Sequence, residues 1–295
     1  MLFFILPTHL PIESDFEEKP YEELMNYELA EIRKIFPVGQ VFEHEIAIDA
    51  ALFSRHPDFW KLWKPFSSRM AGVHLTEGLW KRLRERLDSD AFPRFRCNLF
   101  IQYKRPSFIT GANGKARRRW NQPYFRFDVD QRQQAILQVL EDKTKKNSIV
   151  VYACASFLKW KELWTFTRNH RLVRNSNFVR PVDLNGHDKY TFVLGGSDGF
   201  GYSDPRRVRS TDLIKEIDKL SESSPLFRSN AEFLTDCSNQ MTHVMSGFPE
   251  LAEAHSSLMQ LIEVPQDSLA KSVISIRSFA LLLGVSWSVV LNDAS

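Results

Sequence analysis

The sequence predicts a mixed α/β core followed by a C-terminal helical domain, and three observations carry that prediction. Two near-continuous apolar runs, RCNLFIQYK from Arg96 to Lys104 and SIVVYAC from Ser148 to Cys154, have the length and residue types of buried strands. Segments of helical period lie beside them, which is the alternation of a sheet flanked by helices. Beyond Ser210 the whole pattern is helical. With 43% hydrophobic and 25% charged residues over 295 positions, the chain can bury a sizeable core unaided and is not a disordered or collagen-like sequence. Its 23 Phe and 7 Trp point to a core rich in aromatic rings.

The elements follow in order. Pro20 suits a first helical turn, and Leu24, Tyr27, Leu29, Ile32 and Ile35 approximate an apolar stripe ending at Phe36-Pro37. Ile46 to Phe53 is apolar around a single Asp49 and reads as a buried strand or a helix end. Residues 54–93 are Trp-rich and basic, contain the amphipathic TEGLWKRLRERL, and read as an insertion between core elements. After the strand ending at Lys104, PSFITGANGKARRRW is a loop punctuated by Gly111 and Gly114. Asp128 or Asp130 caps a helix, DQRQQAILQVLEDK, with Ala135, Ile136, Val139 and Leu140 on one face. Then come the strand SIVVYAC, a helix over LKWKELWTFTRNH and a strand from Lys189 to Leu194. Gly195 to Pro205 reads as a flexible connector, which places a boundary near Arg206 between domains at 1–205 and 206–295. Ser210, Ser224-Pro225, Gly247 with Pro249, and Pro265 divide the remainder into about four helices. The apolar run Ser278 to Leu291 is too short to cross a bilayer and predicts a buried helix, packed on the core or on a second copy of the chain.

Net charge is only +3, but its distribution is uneven. Met1 to Ala50 holds eleven acidic and three basic residues. Ala91 to Phe127 holds no acid and nine Arg or Lys, a local electropositive surface whose natural partner is a polyanion. Three scattered cysteines form no CxxC and no Cys/His cluster, which predicts buried thiols in a reducing compartment. The apolar opening MLFFILPTHLPIES lacks a basic n-region and a cleavage site, so the reading is a cytoplasmic protein with no membrane partner. GGSDGFG fits neither a dinucleotide nor a P-loop fingerprint, and neither a Gly-x-Ser-x-Gly elbow nor a Cys/His dyad is evident.

The chemistry concentrates at the end of NLFIQYKRP. Alternation places Gln102 and Lys104 on one face of the strand and Ile101 and Tyr103 on the other. An ammonium at the end of an apolar strand is costly without a partner, so an anion is expected to converge on it; the plain alternative is a lysine that ends the strand in solvent. Gln133 and Gln134 read as an exposed polar helix face, and His187 as a structural histidine.

An apolar strand, Leu99-Phe100-Ile101, running directly into Gln102-Tyr103-Lys104 resembles the core motif of the PD-(D/E)XK nuclease superfamily, in the QxK variant of Mrr-type and related phage-defence nucleases. The resemblance covers roughly residues 20 to 195. It implies a restriction-endonuclease-like mixed sheet flanked by helices, with the C-terminal helices matching no domain. It implies a Mg²⁺-dependent endonuclease, with Mn²⁺ able to substitute, acting on nucleic acid and above all double-stranded DNA, in anti-phage defence and as a homodimer or with a partner protein. By the same resemblance Glu43, Asp49, Gln102 and Lys104 are catalytic, and Asp49, Gln102 and Glu43 hold the metal. Glu45 can replace Glu43, and Asp88 or Asp90 can replace Asp49, whose distance from Gln102 is long for the family. Arg105, Lys115, Arg117, Arg118 and Arg119 are the expected nucleic-acid contacts. The rival readings are a catalytically inactive nucleic-acid-binding or scaffold protein on the same fold, and a protein whose basic block meets an acidic protein surface such as its own N-terminal helix.

Overall fold

The computed structural model describes residues 11–33, 35–36, 77–89, 92–111, 116–195, 198–202, 205–261 and 266–292. Along the chain lie β1 (Ile12–Glu13), α1 (Glu18–Arg33), β2 (Ile35–Phe36), α2 (Glu77–Leu87), β3 (Phe95–Lys104) and β4 (Ser107–Ile109). Next are α3 (Arg117–Trp120), β5 (Tyr124–Asp128), α4 (Gln131–Thr144), β6 (Ser148–Ala155), α5 (Trp160–Arg168) and β7 (Ser176–Val179). The chain continues through β8 (Lys189–Phe192), β9 (Asp198–Tyr202), β10 (Arg206–Arg209), α6 (Leu213–Ser223) and α7 (Asn230–Met245). It closes with α8 (Pro249–Leu261), α9 (Ser268–Leu283) and β11 (Ser286–Leu291). The protein is mixed α/β with two sheets, in the orders β1-β4-β5-β8-β9-β10 and β2-β11-β3-β6-β7. None of the described helices is long and apolar enough to cross a membrane.

The chain forms two compact units, each assembled from separated segments. The first comprises residues 1–28, 103–135 and 151–212, and the second residues 29–102, 136–150 and 213–295. The last segment therefore begins at Leu213, close to the boundary expected near Arg206, but it shares its unit with the central strands instead of standing alone.

In the first unit every pairing of the six-stranded sheet is antiparallel. Register aligns Phe108, Phe125 and Phe192 in one row and Phe127 with Tyr190 in the next. Phe125 stacks on Phe192 at 5.5 Å and Phe127 meets Tyr152 at 5.7 Å, so the aromatic core expected from composition is built here. A second ring cluster joins Phe16, Tyr21, Phe157 and Phe166. Within the glycine-rich stretch read as a flexible connector, residues 198–202 are instead the strand β9. Its glycines answer to packing: a Cβ on Gly199 would lie 2.2 Å from the Tyr190 ring, and one on Gly201 would lie 2.3 Å from the His187 ring. Glycine in a strand marks this kind of close approach, and the sequence signal for it is the same as for a loop.

In the second unit Trp287 opposes Phe100 and Val289 opposes Asn98 across antiparallel β3 and β11. This corrects the reading of Ser278 to Leu291 as one helix. Gly284, at φ 63°, ends α9 with its N–H directed to the Ala280 and Leu281 carbonyls, and all six residues of β11 are buried. A left-handed residue after the last turn favours glycine, and the β-branched run beyond it favours a strand. The apolar run is buried within its own unit for most of its length, with Leu281 and Leu282 exposed, at 41% and 37%, and Gly284 exposed beside them. Asn230 fixes the start of α7 by accepting from Phe95 N–H and donating to the Leu87 and Pro93 carbonyls. The three cysteines are free and buried, and burial pushes the Cys97 thiol up to about 12.

Replacing Gly199 with Ala forces the Tyr190 ring aside and is expected to destabilise the protein by about 2 kcal/mol, an ordinary overpacking cost. Gly247→Ala, whose Cβ would meet its nearest atom at an ordinary 3.6 Å, should leave the urea midpoint near that of the wild type.

Candidate functional site

Lys104 closes β3, whose preceding nine residues are nearly all buried. On the opposite side of the strand the Tyr103 hydroxyl donates to Asn26 Oδ1 at 2.7 Å, and its ring meets Tyr21 edge-on at 5.5 Å, which fixes the strand end. The Lys104 ammonium donates to Gln133 Oε1 at 3.0 Å and lies 5.6 Å from the centre of the Tyr152 ring. Asp130 places Gln133 by accepting its backbone N–H at 2.7 Å, an N-cap contact that opens α4. Tyr152 is placed in turn: its hydroxyl donates to Gln134 Oε1 at 2.7 Å, and Gln134 Nε2 donates to the Pro181 carbonyl at 2.6 Å. Every group around the ammonium is therefore itself held.

Burial lowers the Lys104 pKa from its ordinary value, against the pull of Glu18, Asp130, Cys154 and Asp128, which favour the charged form. None of the carboxylates among the described residues lies within ion-pair distance of Lys104. Its contacts among the described residues are a neutral amide and an aromatic face, which position the cation without an ion pair from any of them.

The other expected site residues divide sharply. Gln102 is buried, at 5% exposure, two residues before Lys104 on the same strand. Glu43, Glu45, Asp49, Asp90 and Lys115 lie outside the described residues. Asp88, the other possible acid, accepts the Ala231 N–H at the start of α7 and serves the fold there. Arg105 pairs with Glu17 at 2.9 Å and with Ser14, while its backbone N–H donates to Glu18. One member of the basic block thus meets the acidic N-terminal segment of its own chain. Arg117, Arg118 and Arg119 form α3, with the last two exposed. Among the described residues no three His, Cys, Asp or Glu side chains group as metal ligands would.

Two residues were legible in the sequence but assigned to the wrong role. Gln133, expected on an exposed face, contacts Lys104; Gln134 is buried at 2% and supports Tyr152. The signal was the Asp130-x-x-Gln133 spacing, which puts an N-cap acid and its partner on the first turn. Nothing in the sequence could bring Tyr152, from β6, to Lys104. Compared with family models, curated proteins and solved structures, the chain matches none.

Because burial disfavours the ammonium, Lys104→Met should fold at least as stably as the wild type at neutral pH. The unfolded chain binds this proton more tightly than the folded one. Wild-type stability relative to Lys104→Met should therefore rise as pH climbs from the lowered folded value to the ordinary lysine value. Denaturant melts of both proteins across that alkaline range read the difference. A wild type that instead loses ground to the variant would contradict the burial penalty.

Proposed function

We propose that this protein is a Mg²⁺-dependent endonuclease of the PD-(D/E)XK type, in its QxK form, cutting double-stranded DNA. The observation that carries the reading is Lys104: a cation held at the end of an apolar strand, two residues after a buried glutamine, oriented by an amide and a ring and, among the described residues, by no direct ion pair. A positive charge kept in that state serves an anion that arrives from outside, and the phosphodiester is the anion that the Gln-x-Lys pattern predicts.

The donors proposed for the metal are oxygens, from the Gln102 amide and the Asp49 and Glu43 carboxylates, with no imidazole or thiolate among them. That set suits a hard cation such as Mg²⁺ or Mn²⁺. When bound, such a cation polarises the scissile phosphate and lowers the pKa of a water. Lys104 offsets the negative charge that grows on the phosphate oxygens or orients the attacking water. Gln133 holds the ammonium in place, and the Tyr152 ring shields one side of it from solvent. A part in defence against foreign DNA belongs to the same proposal and rests on the resemblance.

The test is cleavage of plasmid and linear duplex with Mg²⁺, Mn²⁺ or chelator. Lys104→Ala and Asp49→Ala should each lower the rate by on the order of a hundredfold or more with the fold intact by thermal melt. Full cleavage by either purified variant would show that the residues are wrongly chosen. A wild type that binds DNA equally well with metal or chelator and leaves it uncut would establish the inactive-binder alternative.

A further inference from the structure

The six-stranded sheet of the first unit has two chemically opposite faces. One carries the aromatic rows already described. Register places Arg126, Thr191, Phe200 and Arg207 in a single row on the other, with Lys189 and Arg209 in the flanking rows. The short helix α3 lies against this second face. Trp120 Nε1 donates to Thr191 Oγ1 at 3.1 Å, the Trp120 ring meets Phe200 edge-on at 4.9 Å, and the Arg119 guanidinium stands 5.6 Å from the Phe200 ring centre. Ala116 packs with Ile109 and Tyr124, and Trp120, Val193 and Tyr202 close around them, so α3 is seated on a packed base.

The charge balance of this face is what calls for a partner. Its described carboxylates are taken up internally: Asp128 by Arg126, Asp188 by Lys189 and Asp198 by Arg207. Arg118, Arg119 and Arg209 are exposed, and none of the described carboxylates lies within ion-pair distance of them; Arg206, opposite Gly201 in the register, belongs to the aromatic face. Charged residues on an edge strand such as β10 discourage strand pairing with another chain, which would account for Arg206 and Arg209. It does not account for Arg118 and Arg119, which are on no strand. The rings offer little to an unstacked base. Phe200 is occupied by Trp120 and Arg119, and the Tyr202 hydroxyl is buried. What the face presents outward is guanidinium groups on a pre-positioned support, the chemistry that grips phosphates without reading bases.

We propose that α3 and the rim strand β10 together hold the phosphate backbone of duplex DNA, with Arg118, Arg119 and Arg209 as its contacts. The choice of DNA as the polyanion rests on the nuclease reading. The face itself goes beyond that reading by adding β10, about 80 positions after the acid-free block, to the expected basic loop.

The experiment uses the full chain carrying Lys104→Met, so that bound DNA is not cut, and follows binding of a short duplex by fluorescence anisotropy between about 50 and about 200 mM salt. Two further sets of substitutions are compared, Arg118→Gln with Arg119→Gln and Arg209→Gln alone. The α3 pair should make the slope of log affinity against log salt shallower by about two units and Arg209→Gln by about one, since each lost phosphate contact removes nearly one. The loss should be the same on unrelated sequences. Lys143→Gln with Lys146→Gln removes the same charge from exposed positions of the second unit and should leave the slope in place. The α3 pair, which touches no sheet edge, decides the matter if the β10 variant aggregates.

The face is overturned by unchanged slopes in the arginine variants, by an equal loss in the lysine control, or by tighter binding of a single strand than of the duplex. A wild type that shows these slopes but never cuts DNA refutes the nuclease reading and leaves the face standing. A wild type that cuts DNA, with arginine variants that bind like their parent, refutes the face alone.

Discussion

Pairing of β11 with β3 is the constraint on which the second unit depends. β3 is buried along nearly its whole length, and an unpaired backbone group in such a place costs about 1–3 kcal/mol. One neighbour in the sheet is β6, and the other is the strand formed by residues 286–291, almost two hundred positions further on. The pairing also settles a polar residue inside the apolar strand. Asn98 is fully buried; its Oδ1 accepts from Trp287 Nε1 at 3.1 Å, and its backbone N–H donates to the Asn147 carbonyl at 2.8 Å. Trp287 is among the largest side chains wholly buried in the protein, so one residue supplies both apolar packing and the hydrogen bond that makes Asn98 tolerable there.

The group at the end of β3 is held by contacts within the first unit. Lys104 emerges where the apolar run stops, with Tyr103 locked on the opposite side by Asn26 and Tyr21. The arrangement runs against stability, because burial disfavours the ammonium and its hydrogen-bond partner is a neutral amide. Local costs of this kind concentrate at working sites, where a charge must be kept oriented and unneutralised. Elsewhere in the first unit the same chemistry is handled conventionally: Arg105, one residue on, is paired with Glu17 and bonded to Ser14. Two adjacent basic residues thus meet opposite fates, one tied into the acidic N-terminal segment and one with no ion pair among the described residues.

The antiparallel sheet of the first unit shows how a strand pattern can hide. Gly199 and Gly201 give β9 the composition of a linker, yet each glycine is the floor beneath a ring on the neighbouring segment. Periodicity detects residues that carry side chains to a core, and it is blind to residues whose contribution is to have none. The C-terminal run was misread for a related reason. Fourteen apolar residues suit a buried helix or a buried strand equally well, and the stop at Gly284 divides them between both.

The sequence by itself determined the α/β class, the strands Arg96–Lys104 and Ser148–Cys154 to within a residue, the helix opened by Asp130, the buried thiols and the prominence of Gln102 and Lys104. These are local properties, written in apolar period, in capping residues and in the cost of leaving a charge at the end of an apolar run. Tertiary structure alone decided that residues 286–291 return as a strand beside β3, that each unit is assembled from separated stretches of chain, and that Gln133 and the Tyr152 ring meet the ammonium. It also decided which arginines are spent on carboxylates of their own chain and which are not. Each of these depends on contacts between residues far apart in sequence. No local pattern encodes such a contact, because the same strand or the same arginine can be satisfied by many partners, and the fold selects the one that buries the most apolar surface without stranding a polar group.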